Sequence, residues 1–263
     1  MNKGFSLVEL SIVLVILGLL IGGVLTGQNL IRAAELRSIP VQFDSYRTAV
    51  NLFRDKYFGL PGDISNATSF WGDNASQCAD AAIANGSPGT CNGNNNGQLT
   101  FPATVNTTGE AFAFWQQLSL AGLIEGKYSG LSGPTQINEH TPGDNAPISK
   151  LGGDVGYSAF YLGTVASGSF RFAGDYGSVM TVGNCTVFYC NQAALTPEDA
   201  WNIDTKMDDG KPGTGVLVTR PDDGAASGGQ DDCVVGDSTQ SATATYELTY
   251  KSAACGFYLR KVF

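Results

Sequence analysis

From Phe5 to Leu25 the chain reads FSLVELSIVLVILGLLIGGVL, mostly Leu, Ile and Val with two serines and a single charge. About 20 such residues suffice to cross a bilayer as a helix. A secretory signal has a shorter apolar core, about 7–15 residues, followed by a small-x-small cleavage site. Here the apolar run is longer and Thr26-Gly27-Gln28 follows it, so a simple signal peptide does not fit. The single charge is Glu9. An ionisable group inside a spanning helix is costly and usually marks a function with a partner.

Helical periodicity continues beyond the apolar run. Ile39, Phe43, Tyr46, Val50, Phe53 and Tyr57 recur every three or four residues, with Asp44, Arg47, Arg54 and Asp55 between them, which defines one amphipathic face. Pro40 lacks an amide donor and crowds the preceding turn, so a kink or interruption is predicted near Ser38. Gly59-Leu60-Pro61-Gly62 ends the helix. From Phe5 to Tyr57 the element would be roughly 80 Å long at about 1.5 Å per residue.

The residues Lys3-Gly4-Phe5-Ser6-Leu7-Val8-Glu9 resemble the processing signature of type IV prepilins and type II secretion pseudopilins. The resemblance implies a leader of residues 1–4, cut after Gly4 by a dedicated prepilin peptidase that methylates the new amine of Phe5. It implies that Glu9 meets the N-terminal amine of a neighbouring subunit during assembly. Residues 5–27 would then be the transmembrane half of the first helix, 28–58 its amphipathic half, and 59–263 an exported, disulfide-bearing α+β domain. The implied partners are other pilin or pseudopilin subunits, the peptidase and the bacterial inner membrane. The outer domain would lie in the periplasm, and then in a pilus or pseudopilus. The function implied is that of a structural subunit. The alternative is a minor pilin or adhesin whose outer domain binds a surface or an exported protein. Lys3 on one side and Arg32 and Arg37 on the other do not fix orientation, which therefore rests on the resemblance. Phe53-Arg54-Asp55-Lys56-Tyr57, Leu60-Pro61-Gly62-Asp63 and Ile203 to Gly210 are similar to segments of larger pilin-like proteins.

The 263 residues carry 15 Lys plus Arg against 24 Asp plus Glu, a net charge of −9. Beyond residue 37, without Lys3, Arg32, Arg37, Glu9 and Glu35, 12 basic and 22 acidic residues remain, a net −10. That balance argues against a nucleic-acid partner. With 34 glycines and 10 prolines, long loops and many turns are predicted. A second helix is predicted from Glu110 to Ile124, with Phe114, Trp115, Leu118 and Ala121 on one side. Its aromatics read as core, and stacking of a carbohydrate on Trp71 or Trp115 is the lesser alternative. Beyond Gly152, short runs bounded by glycine read as antiparallel strands: Tyr157–Leu162, Ser169–Phe172, Ser178–Val182, Val216–Thr219, Thr245–Tyr250 and Phe257–Phe263. One α+β domain follows, pilin-like in the family resemblance, with the long helix packed on an antiparallel sheet.

The six cysteines, at 78, 91, 185, 190, 233 and 255, suit an oxidising compartment. Six allow 15 pairings, and short closures favour Cys78 with Cys91, Cys185 with Cys190, and Cys233 with Cys255. The one histidine, His140, lies in a Gly/Pro-rich loop, and neither Gly-x-Ser-x-Gly nor His-Glu-x-x-His occurs. No catalytic residue is assigned and no enzymatic activity or cofactor is expected. Two segments carry oxygen ligands in a calcium-like pattern. Asn92, Asn94 and Asn96 alternate before Gly97 like the first half of a calcium loop. Ala103 stands where a bidentate glutamate would fall, so an Asn/Gly turn is the expected reading. Asp204, Asp208 and Asp209 are the second candidate, suggested by the C-terminal calcium loop of some pseudopilins, without a close match in spacing.

Overall fold

The computed structural model describes residues 7–72, 78, 89–166, 171–185, 188–219, 232–236, 239 and 241–263. Helix α1 runs from Leu7 to Tyr57. Its first half is exposed on every side, and from Ile39 onward Ile39, Phe43, Tyr46, Ala49, Val50 and Phe53 are buried. The helix is not interrupted at Pro40. Proline costs a helix interior about 3 kcal/mol. Burial of Ile39, Phe43 and Tyr46 in the core shared with α3 and the sheet, at about 1.5–3 kcal/mol per large apolar side chain, offsets it.

After α1 come the single turn α2 (Thr68–Trp71) and helix α3 (Glu110–Leu120). Helix α3 stops short of the predicted Ile124, and Gly122 just beyond it takes φ 71°. Four strands form one antiparallel sheet in the order β1-β4-β8-β5: β1 (Val155–Tyr161), β4 (Ser178–Asn184), β8 (Phe257–Arg260) and β5 (Leu217–Val218). Strands β2 (Thr164–Val165) and β3 (Gly174–Asp175) make a small hairpin, and β6 (Val234–Val235) pairs with β7 (Thr245–Tyr246). Helix α4 (Pro197–Met207) lies between β4 and β5 in sequence.

Side-chain alternation along the sheet builds two cores. Tyr157, Ala159, Met180, Val182, Phe257 and Leu259 face α1 and α3, and join Phe43, Tyr46, Trp115 and Leu118 in the larger core. Phe160, Val179, Tyr258 and Val218 face the other way and join Tyr176 and Ala111 in the smaller one. The joint between α1 and the sheet is aromatic. The ring of Tyr157 lies 5.5 Å from Phe43 and 5.1 Å from Tyr46, and Tyr46 lies 5.1 Å from Trp115, all edge-on. The Tyr157 hydroxyl donates to Gln42 Oε1 of α1 at 2.9 Å.

Several expected strands are shorter than predicted. The run from Thr245 to Tyr250 pairs only at Thr245 and Tyr246, because a turn follows in which Tyr250 N–H donates to the Glu247 carbonyl. Strand β8 ends at Arg260 because Lys261 takes φ 52°. Of the run Ser169–Phe172, Ser169 and Phe170 lie outside the described residues, and Phe172 is a buried core residue outside any strand. Helix α4 is not among the elements the sequence predicts. Its start is capped by Thr196, whose hydroxyl accepts from Asp199 N–H at 3.1 Å.

Candidate functional site

Glu9 lies in the first turn of α1, on the exposed apolar half. Gly4 and Phe5 lie outside the described residues. By length and composition α1 can cross a membrane. Among the described residues α4 meets α1 at Arg32, whose guanidinium bonds Asp199 of α4 at 2.9 Å and sits 3.6 Å from Glu35. From Leu25 to Arg32 is about 10 Å of helix at about 1.5 Å per residue. The exposed apolar half and the gripped half thus meet within two turns.

All six cysteines are paired, Cys78 with Cys91, Cys185 with Cys190, and Cys233 with Cys255, at Cα separations of 5.6, 4.1 and 5.1 Å. The first closes the segment leading to the Asn-rich loop, and the last ties β6 to the strand-entry residue before β8.

The Asn-rich loop is organised by Asp63, the last residue of the Leu60-Pro61-Gly62-Asp63 segment, whose anchoring role the sequence does not show. Its carboxylate accepts from Asn96 N–H at 3.1 Å and Gly97 N–H at 2.7 Å, and its carbonyl from Asn95 N–H at 2.8 Å. Burial pushes that carboxyl up, against the pull of the donated backbone bonds. The three asparagine oxygens are engaged as well. Asn92 accepts from Thr68 N–H at 2.9 Å, Asn94 from Asn96 N–H at 3.0 Å and Asn96 from Gln98 N–H at 2.8 Å. The last two are Asx turns. Gly93 is required here, since a Cβ would fall 2.3 Å from Asp63 Cα.

Asp204, Asp208 and Asp209 do converge: one oxygen of each lies within 4.8 Å of the others. Asp204 is buried on α4, and its carboxylate accepts from the Tyr246 hydroxyl at 2.8 Å and Gly210 N–H at 3.3 Å. Burial raises its pKa to about 7, opposed by those two bonds and helped by the neighbouring Asp209 and Asp208. Asp208 accepts from Val216 N–H and, at 3.1 Å, from Leu217 N–H at the start of β5. Asp209 accepts from Lys211 N–H at 2.9 Å and from the Thr214 hydroxyl. Asp204 and Asp208 therefore pin the end of α4 to β7 and β5, while Asp209 fastens the loop after α4.

Trp115 is wholly buried and cannot stack on a sugar, whereas Trp71 is half-buried against Phe53, Tyr57 and Phe70. His140 is buried beside Phe112 and Phe101, with ring centroids at 4.6 and 6.0 Å. Its Nδ1 bonds the Asn138 carbonyl at 3.0 Å, and its Nε2 has no partner among the described residues. Burial pushes its pKa down to about 4, against that carbonyl. The unfolded chain therefore takes up the proton first as pH falls below the ordinary histidine value of 6.5, and stability drops from there down to the folded-state value. Replacing His140 with phenylalanine should remove this slope. Melting temperatures compared at pH 5 and pH 7.5 should show the variant gaining about 5 °C on the wild type at the lower pH, from roughly 2 kcal/mol. Parallel curves would mean the ring is already protonated or solvated.

Residues 1–25 match the family model described as the prokaryotic N-terminal methylation motif. The chain carries the type IV prepilin/pseudopilin signature. No curated protein and no solved structure matches the chain. The prepilin signature implies processing by a prepilin peptidase and assembly with other pilin subunits, and it belongs to structural subunits. It ends at residue 25, inside the exposed apolar half of α1.

Proposed function

We propose that this chain is a structural subunit of a type IV pilus or a type II secretion pseudopilus. It is cut after Gly4, methylated on Phe5, and held in the inner membrane by the apolar half of α1 with its outer domain in the periplasm. It then assembles through that same helix and performs no chemistry itself. The observation carrying this reading is one continuous helix with two unlike halves: a prepilin signature on an exposed apolar half, and a disulfide-bearing α+β domain packed on the other.

The test compares membrane fractions with sheared or secreted filaments, in cells with and without the prepilin peptidase. The mature form should appear in filaments only when the peptidase is present. Mature protein that stays in the membrane of filament-bearing cells would overturn the reading. The long loops outside the sheet favour a minor subunit over the repeating one, because they exceed what packing of a helix and a four-stranded sheet requires. Filaments that form normally in a deletion strain but fail to attach or to secrete would select that second form.

No cation is needed in this reading, because every carboxylate of Asp204, Asp208 and Asp209 already has a protein donor. Chelator should leave the melting temperature of the full protein unchanged within error. A fall of several degrees, reversed by calcium, would assign a cation to those carboxylates.

A further inference from the structure

Helix α1 keeps exposed apolar side chains beyond Leu25. Leu30 and Ile31 are 68% and 61% exposed, and Arg32 follows them directly. The apolar run from Phe5 to Leu25 fills a hydrocarbon layer about 30 Å thick, at about 1.5 Å per residue. Arg32 stands about 10 Å beyond Leu25, at the outer edge of a headgroup layer about 5–8 Å deep. Its bond to Asp199 at 2.9 Å brings the first turn of α4 to that level.

Helix α4 buries Ala200, Ile203 and Asp204 on one side. Among the described residues α1 joins the core from Leu36 and Ile39 onward, farther along the helix than Arg32. Glu198 and Trp201, spaced i and i+3, share the exposed side of α4, turned away from that core. Lys251 links Leu248 to the same side, donating to Glu198 at 3.1 Å and to the Leu248 carbonyl at 2.9 Å. Trp201 is 40% and Leu248 41% exposed. The charges beside them are engaged within the protein: Glu198 with Lys251, Asp199 with Arg32, and Glu247 with the N–H and hydroxyl of Thr249. The rim thus offers an indole and an aliphatic side chain, level with the exposed Leu30 and Ile31 of α1. An indole is apolar with one polar N–H, which suits the boundary between lipid chains and water.

We propose that the Trp201–Leu248 rim rests in the phospholipid headgroup layer of the membrane that α1 crosses, as an interfacial anchor for the outer domain. The lipid-facing surface of α1 then continues onto α4 through the Arg32–Asp199 bond, and the paired charges around the rim enter the layer without an unpartnered ion. The anchor fixes the height of the outer domain while the subunit stays in the membrane, and it parts from lipid when α1 is drawn out. The proposal rests on the membrane-held reading above and adds a second, peripheral contact with lipid.

The test uses the tryptophans already present. They are Trp71, Trp115 and Trp201, none of them in α1, so tryptophan emission reports the outer domain alone. Full-length protein is reconstituted into vesicles of phosphatidylethanolamine and phosphatidylglycerol, with or without a lipid bearing a nitroxide quencher on its headgroup. Flotation is read first, and wild type that does not float with the vesicles overturns the membrane-held reading, and this contact with it. In floated protein, the emission lost to the headgroup nitroxide should be at least threefold greater in wild type than in Trp201→Phe. Moving the nitroxide to the end of the lipid chain should weaken the quenching of wild type at least twofold. Equal losses in wild type and in folded Trp201→Phe, or wild-type quenching no weaker from the chain end than from the headgroup, overturns the contact while leaving the membrane-held reading standing.

Discussion

Replacing Glu9 with leucine should leave membrane insertion and cleavage after Gly4 intact while lowering the amount of the protein in filaments at least a hundredfold. In an unassembled subunit the carboxylate costs little. It stands close in sequence to the amine of Phe5, near enough to the end of the helix to reach headgroups or water. In a filament the helices pack together and water is excluded, so an opposite charge within a few ångströms is worth several times its aqueous value. The amine of a neighbouring Phe5 is that charge in this account. Removing Glu9 leaves the amine buried without a partner, a penalty of about 3–5 kcal/mol, which corresponds to more than two decades in equilibrium constant. The measurement is the ratio of processed protein in membranes to that in sheared filaments. An unchanged ratio for Glu9→Leu would place Glu9 outside the assembly contact, as in a tip subunit with no neighbour beyond it.

The second large effect concerns how the outer domain is held to α1. Trp115→Ala should destabilise the protein by about 3–5 kcal/mol, lowering its melting temperature by roughly 10 °C. The indole is wholly buried between Tyr46 of α1 and Phe114 of α3, at 5.1 and 4.8 Å, so no neighbour can collapse into the space without moving a helix. Trp115→Phe should cost much less. The indole Nε1 has no hydrogen-bond partner among the described residues, and phenylalanine removes that desolvated donor while keeping most of the contact. Equal losses for the two variants would mean that the nitrogen is bonded after all, through a bridging water.

The long helix was legible because its signal is dense. The unbroken apolar run from Phe5 to Leu25 and the helical period from Ile39 to Tyr57 each stand out without knowledge of any contact. The effect of Pro40 was not legible, because it depends on burial of residues either side against a sheet that lies far along the chain, as the bond between Gln42 and Tyr157 shows. Helix α4 had a readable start in Thr196-Pro197-Glu198-Asp199, but its buried face includes the ionisable Asp204, which breaks the apolar stripe that identifies a helix. Strand β6, Val234–Val235, is too short to show alternation, whereas β5 and β7 fall within the predicted runs Val216–Thr219 and Thr245–Tyr250 and are only shorter than them.

The candidate residues divide the same way. Asp204, Asp208 and Asp209 are close in sequence and meet at the end of one helix. Asp63 organises the loop around Asn96 and Gly97, distant in sequence, through backbone donors, and a carboxylate that binds amides leaves no motif. The prepilin signature is legible in full because a peptidase reads it as linear sequence, before the outer domain's packing has any bearing on it.

In the function proposed above, residues 1–4 are a leader and the mature chain begins at Phe5. Intact-mass and N-terminal peptide analysis of the protein recovered from membranes tests it most directly. The result predicted is a chain beginning at Phe5 and bearing one methyl group on its amine. A chain that retains Met1, or one that begins near Gln28 with the apolar run removed, would contradict it.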